Sequence, residues 1–176
     1  MTYNQFEEKL EKEDITPCYL FVGEEEFLKQ RAVKRLSSLL SARRIIINRE
    51  NEKELNNTLS QSLAFGRRLI LIEDASSFSK ENKELLLRYI KNPEESTIIL
   101  FEKERNPGLE KIVSQNGDVV IFGHLSGKSL ILWAKGLFQK EGKEVDESAL
   151  DTLLNIVGED PALLSVEIEK LILFCQ

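Results

Sequence analysis

The stretch Cys18-Tyr19-Leu20-Phe21-Val22-Gly23-Glu24-Glu25-Glu26-Phe27-Leu28 decides the fold. Its first five residues are continuously apolar and too few for a helix, which reads as a strand covered on both faces. A glycine ends the run. Beyond the glutamates, Leu28, Ala32, Leu36 and Leu40 recur at helical spacing. Strand, glycine and helix in that order open an α/β unit, and the alternation continues downstream. Further strands are predicted at Arg44–Asn48, Leu69–Glu73, Thr97–Glu102 and Val119–Phe122. Helices are predicted through Glu52–Ser60 and Lys80–Lys91, the latter stopped by Asn92-Pro93. The expectation is a mainly parallel sheet of five strands flanked by helices.

After Phe122 the strand-like runs cease. One helix carries Leu130, Trp133, Ala134, Leu137 and Phe138 on one side. A second starts at Asp146, carries Leu150, Leu153, Leu154 and Val157, and stops at Gly158. A third opens with Asp160-Pro161 and carries Leu164, Ile168, Leu171 and Ile172. The predicted division is an α/β domain over residues 1–124 and a small three-helix domain over 125–176. The last helix is still apolar where the sequence stops, so a longer natural protein is expected.

With 176 residues the chain can bury a real core in one medium domain plus an appendage. It is 41% apolar and 31% charged, and its first apolar stretch, Ile15 to Val22, is too short to cross a membrane and contains Pro17. A cytoplasmic protein without membrane contact is expected. The formal net charge of −6 opposes tight phosphate binding, so DNA contact should be weak or made through other proteins. Cys18 and Cys175 each sit inside an apolar pattern, which predicts buried free thiols rather than a disulfide or a metal site.

A five-stranded α/β domain followed by a helical lid is the plan of an AAA+ ATPase, so nucleotide binding is the first chemistry to test. A phosphate loop after the first strand needs several glycines, a lysine and a hydroxyl. This sequence offers Gly23 and three glutamates, which suit a helix N-terminus but repel a triphosphate. Leu69-Ile70-Leu71-Ile72-Glu73-Asp74 resembles a strand that presents carboxylates to magnesium, yet without a phosphate loop there is no nucleotide-bound metal for it to hold. Gly123-His124-Leu125-Ser126-Gly127-Lys128-Ser129 stands between a strand and a helix but is one residue short of the phosphate-loop motif. It reads as an interdomain hinge with Ser126 capping the next helix. His124 is the only histidine, which removes His-based metal clusters. No catalytic residue, metal or cofactor is assigned.

Two further features concern partners. Lys29, Arg31, Lys34 and Arg35 cluster on one helix, with Arg43-Arg44 and Arg67-Arg68 elsewhere; such groups form either a solvated face or a phosphate-binding one. In Gln61-Ser62-Leu63-Ala64-Phe65-Gly66, a Leu/Phe pair at an element end either anchors a partner's hydrophobic pocket or folds back into the core.

Together these segments resemble the delta subunit of the bacterial DNA polymerase III clamp loader. The similarity rests on Tyr19–Leu28, on Phe65–Asp74, on Leu87–Pro93 followed by Ser96–Leu100, and on Gly158-Glu159-Asp160 with Glu167-Ile168-Glu169-Lys170-Leu171. The resemblance implies an AAA+-like fold without ATP hydrolysis, in a non-catalytic subunit of a DNA-directed DNA polymerase complex. It implies that a hydrophobic pair wedges into the beta sliding clamp and favours the opened ring during loading onto primed DNA. The matching positions are Leu63 and Phe65, with Ser62 and Ala64 alongside. Relatives often place two large residues together, whereas Ala64 separates them here, and Pro161-Ala162-Leu163 stands where many carry an arginine. Delta prime and gamma/tau subunits are implied partners, chiefly through a collar domain absent from this sequence. The alternatives are an active P-loop NTPase using Gly123–Ser129 and a direct DNA-binding protein using the basic helix.

Overall fold

The computed structural model describes residues 1–60, 66–93 and 96–174. Within them lie α1 (Tyr3–Glu11), β1 (Cys18–Gly23), α2 (Glu26–Leu39), β2 (Arg43–Ile47), α3 (Leu55–Ser60), β3 (Arg68–Glu73), α4 (Lys80–Lys91), β4 (Thr97–Glu102), α5 (Pro107–Val113), β5 (Gly117–Phe122), α6 (Gly127–Lys140), α7 (Glu147–Val157) and α8 (Pro161–Phe174). The strands form one sheet in the order β2-β3-β4-β1-β5, with every adjacent pair parallel. This is the AAA+-like sheet that the alternation of strands and helices predicts. The chain divides into two compact units, Met1–Gly123 and His124–Gln176.

In the first unit β1 runs between β4 and β5, with Leu20 opposite Leu100 on one side and Val119 on the other. Its side chains alternate across the sheet. Leu20 and Val22 join Ile70, Ile72, Ile98 and Leu100 in a core closed by Leu55 and Leu59 of α3, Leu86 and Ile90 of α4, and Val113 of α5. On the other face Phe6 of α1 meets Tyr19 and Phe21 edge-on, each with ring centroids 5.5 Å apart. Such pairs add to what area burial alone supplies.

Some elements differ from the sequence expectation. The N-terminal helix α1 and the short α5 were not anticipated, although each carries a start signal: Thr2 and Gln5 form a reciprocal cap on α1, and Asn106 caps α5 ahead of Pro107. The expected helix over Glu52–Ser60 begins as a 3-10 turn, Glu52–Glu54, before α3. Strand β2 is a sheet edge with Arg43, Arg44 and Ile46 exposed, so it is not covered on both faces as continuous apolar strands imply. Strand ends otherwise shift by one or two residues, within the ordinary uncertainty of boundaries.

In the second unit α6 and α7 both pack against α8. Leu130, Ala134 and Phe138 of α6, Leu150 of α7, and Leu164 and Ile168 of α8 are buried. Gly158 ends α7 at φ +86°, a conformation that glycine adopts at no steric cost. Asp160 starts α8 by accepting hydrogen bonds from the Ala162 and Leu163 N–H groups at 2.8 and 3.1 Å.

Because Phe6 is fully buried against two rings of β1, α1 is part of the core. Phe6→Ala is expected to cost about 3–5 kcal/mol in urea denaturation. A cost below about 1 kcal/mol would show that α1 docks only loosely.

Candidate functional site

In an open parallel sheet, ligands bind outside the C-terminal strand ends, where neighbouring strands send the chain in opposite directions. Here those neighbours are β1 and β4: β1 leads out to the far edge at β2, whereas β4 leads back across β1 to β5. An open crevice of about 1030 Å³ lies at that end, lined in part by Glu26, Lys29, Leu71, Glu73, Phe101 and Glu102. This is where an AAA+ fold implies a nucleotide and its magnesium, so the fit can be tested residue by residue.

The turn after β1 does not fit. Gly23, at φ +127°, lies beside Phe122 of β5, and a Cβ there would overlap the Phe122 carbonyl. The glycine is required by the strand pairing alone. Only Glu24 and Glu25 separate β1 from α2. The Glu26 N–H donates back to the Glu24 carbonyl at 2.9 Å, so the turn closes on itself instead of opening as a cradle of amides. Lys29 is 2% exposed, and its ammonium lies 3.0 Å from the Glu26 carboxylate. Burial, and then the nearby Asp74 carboxylate, push Glu102 above the usual carboxylate range. Hydrogen bonding, first from Ser76 at 2.6 Å, holds Asp74 below it. A triphosphate here would meet Glu26, Glu73, Asp74 and Glu102 with Lys29 already paired, so the residues present do not fit the group.

The second glycine-containing stretch is committed to helix initiation. Ser126 stands at the cap of α6, and the Ser129 hydroxyl accepts from the Ser126 N–H at 3.0 Å while donating to the Ser126 carbonyl at 2.8 Å. The hydroxyl that a phosphate loop would turn toward magnesium is occupied by the helix start. Lys128 is exposed.

The hydrophobic contact expected from the sequence falls on the segment between α3 and β3. Ser62, Leu63, Ala64 and Phe65 lie outside the described residues. Their flanks are well anchored: Leu55 and Leu59 of α3 are in the core, and the buried Arg68 guanidinium donates to the Thr58 carbonyl at 2.7 Å. The chain enters this connection at exposed Ser60 and leaves it at exposed Gly66 and Arg67. Gly66 and Arg67 lead into the N-terminal end of β3, the end opposite the carboxylate-lined crevice.

The basic cluster on α2 is not a uniform solvated face. Lys29 is buried against Glu26, and Arg35 lies 3.6 Å from the buried Glu7, whereas Lys34 is exposed. The Glu26–Lys29 spacing was visible in the sequence as an i,i+3 pair. Glu102, at the end of an apolar strand, was not singled out. Cys18 is buried and unpaired by disulfide, and burial pushes its thiol up to about 12; Cys175 lies outside the described residues. Among the described residues no group of three or more His, Cys, Asp or Glu side chains is arranged to hold a metal, and no helix is long and apolar enough to cross a membrane.

A carboxylate whose ionisation the folded state resists destabilises that state once ionised. Glu102 therefore lowers stability at neutral pH, and the effect vanishes as pH falls below the unfolded carboxylate value of about 4.3. Glu102→Gln is expected to raise the melting temperature at pH 7 and to leave it unchanged near pH 3.5. An equal shift at both pH values would mean that charge is not the cause.

Comparison with known proteins agrees with this geometry. No protein-family model matches the chain. A curated protein of Aquifex aeolicus, a probable DNA polymerase III subunit delta, is 23% identical over 171 residues, covering 88% of this chain and 49% of that protein. The solved DNA clamp loader delta protein of Bacillus subtilis, YqeN, superposes with a TM-score of 0.83 at 19% identity, over 98% of this chain and 57% of that one. The RuvB Holliday junction branch migration motor of Thermotoga maritima shares the fold at a TM-score of 0.54 and 14% identity, over 93% of this chain and 57% of its own. In sequence and in fold, this chain is similar to the delta subunit of the bacterial DNA polymerase III clamp loader, over about half the length of that relative.

Proposed function

We propose that this chain is the clamp-binding part of a clamp-loader delta subunit, which grips the beta sliding clamp and favours its opened ring without hydrolysing ATP itself. The observation that carries the reading is the two-residue, carboxylate-rich turn at the switch point of an AAA+-like sheet. A fold built around phosphate binding that has lost the phosphate site retains its use as a scaffold. Leu63 and Phe65, with Ser62 and Ala64 beside them, supply the contact. They stand on a connection whose two ends are fixed by α3 and by Arg68. A wedge that fits the open ring better than the closed one shifts the ring toward opening by its differential affinity. The other partners are the remaining loader subunits, delta prime and gamma/tau. Action in the cytoplasm follows from that role. DNA is touched indirectly or weakly, a reading supported by the engagement of Lys29 and Arg35 within the fold.

Binding of the chain to its matching sliding clamp tests this directly. The expected result is a micromolar or tighter Kd, weakened at least about 30-fold by Leu63→Ala/Phe65→Ala with unchanged circular dichroism, as for truncated interface anchors. No binding by the folded wild type would overturn the proposal.

A second measurement separates the NTPase alternative. Titration with millimolar magnesium-ATP is expected to give no signal, and Lys128→Ala is expected to change nothing. Binding that disappears with Lys128 would instead favour a nucleotide site at Gly123–Ser129.

A further inference from the structure

We propose that the groove between α7 and α8 docks a basic amphipathic helix of a partner protein. The groove, of about 570 Å³, is lined by Leu153, Ile156, Val157, Leu163, Glu167 and Leu171. Its apolar walls face solvent: Ile156 is 78% exposed and Leu163 56%. Helix α8 is apolar around most of its circumference, with Leu164 and Ile168 buried on one side and Leu163, Val166 and Leu171 exposed on the others. A helix apolar on opposite sides is normally covered on both. Contiguous apolar surface bounded by polar residues marks a binding site more often than scattered leucines do.

Charge specifies the occupant. Between Lys143 and Lys170 the chain has no lysine or arginine and eight carboxylates. From α7 through α8, Glu147 to Phe174, six carboxylates stand against one lysine, a sum of −5 out of the chain's formal −6. Glu167 lines the groove, partly balanced by Lys170 at 2.7 Å. Exposed Glu159 and Asp160 form the turn that joins the two walls. Asp160 is also occupied in capping α8, whereas capping does not call for the remaining acids. An apolar seat inside an acidic rim matches a helix with apolar residues at i, i+3, i+4 and i+7 flanked by lysine or arginine. The same rim opposes a second copy of this chain, whose carboxylates would face like charges.

The test uses two synthetic helical peptides with identical leucine spacing, one flanked by lysine and arginine, the other by glutamate. The basic peptide is expected to bind the chain at micromolar Kd, and its affinity is expected to fall several-fold when salt rises from 50 to 300 mM. The acidic peptide should bind at least tenfold more weakly. Ile156→Ser/Leu163→Ser replaces exposed side chains, so the fold should persist, and it should weaken the basic peptide at least tenfold. Glu159→Gln/Glu167→Gln should weaken it with the leucine seat intact. Equal binding of both peptides, no binding of either, or binding unchanged in both variants would each overturn the proposal. So would concentration-dependent dimerisation abolished by Ile156→Ser/Leu163→Ser, which would make a second copy the occupant.

Discussion

The close pairing of β1 with β5 is the constraint on which the rest of the first unit depends. At one end of this pair, Gly117 of β5 lies against the carbonyl of Cys18; at the other, Gly23 of β1 lies against the carbonyl of Phe122. A Cβ at either glycine would overlap the partner backbone, so the two strands can come this close only if both residues lack a side chain. Held in this way, β1 is buried along its apolar length and presents Leu20 and Val22 to one layer and Tyr19 and Phe21 to the other. Both helical layers are positioned by this single strand.

The same constraint determines what the strand end can do. Gly23 is committed to β5, and α2 starts after only two more residues, so no length of backbone remains to wrap an anion. Electrostatics then follow from packing. Lys29 is buried, and an isolated buried ammonium costs several kcal/mol, which the Glu26 carboxylate offsets at hydrogen-bond distance. The lysine at this strand end therefore neutralises a carboxylate at a helix start, and its charge eases the ionisation of Glu102 that burial and Asp74 resist. The N-terminal strand ends hold a buried cation as well, Arg68, whose guanidinium donates to the Thr58 carbonyl. There Ser60 at the end of α3 and Gly66 and Arg67 ahead of β3 are exposed.

What could be read from the sequence follows from how locally each feature is encoded. The apolar runs of β1, β3 and β4 announced themselves because strands covered on both faces need nearly every side chain apolar. Lys80–Lys91 was bounded correctly because Asn92-Pro93 ends a helix by sterics alone. Helix α1 carries Tyr3, Phe6 and Leu10 at helical spacing behind a Thr-x-x-Gln start, and α5 has an Asn-Pro start like the Asp-Pro of α8. Both signals were present but short, and each helix is stabilised mainly by the sheet it covers. The burial of Lys29 was not legible, because a lysine on a helix with other cations looks solvated until the strand beside it is placed. The direction in which Leu63 and Phe65 point depends on tertiary surroundings that no local pattern encodes, and they fall outside the described residues.

Net charge shows why a sum can mislead where a distribution does not. The value of −6 suggests a chain that phosphate backbones would avoid everywhere. The acidic surplus nevertheless lies on α7, α8 and the turn between them, while the first unit keeps Arg43, Arg44 and Arg67 exposed at the N-terminal ends of β2 and β3. At that end Arg67 and Arg68 share a cleft with Glu13, whereas α7, α8 and the turn between them expose carboxylates. Lys29 in the crevice and Arg35 against Glu7 are cations engaged within the fold. The first unit carries 21 Asp and Glu against 19 Lys and Arg and the second 9 against 5, so both are acidic in sum and what differs is where the exposed arginines stand.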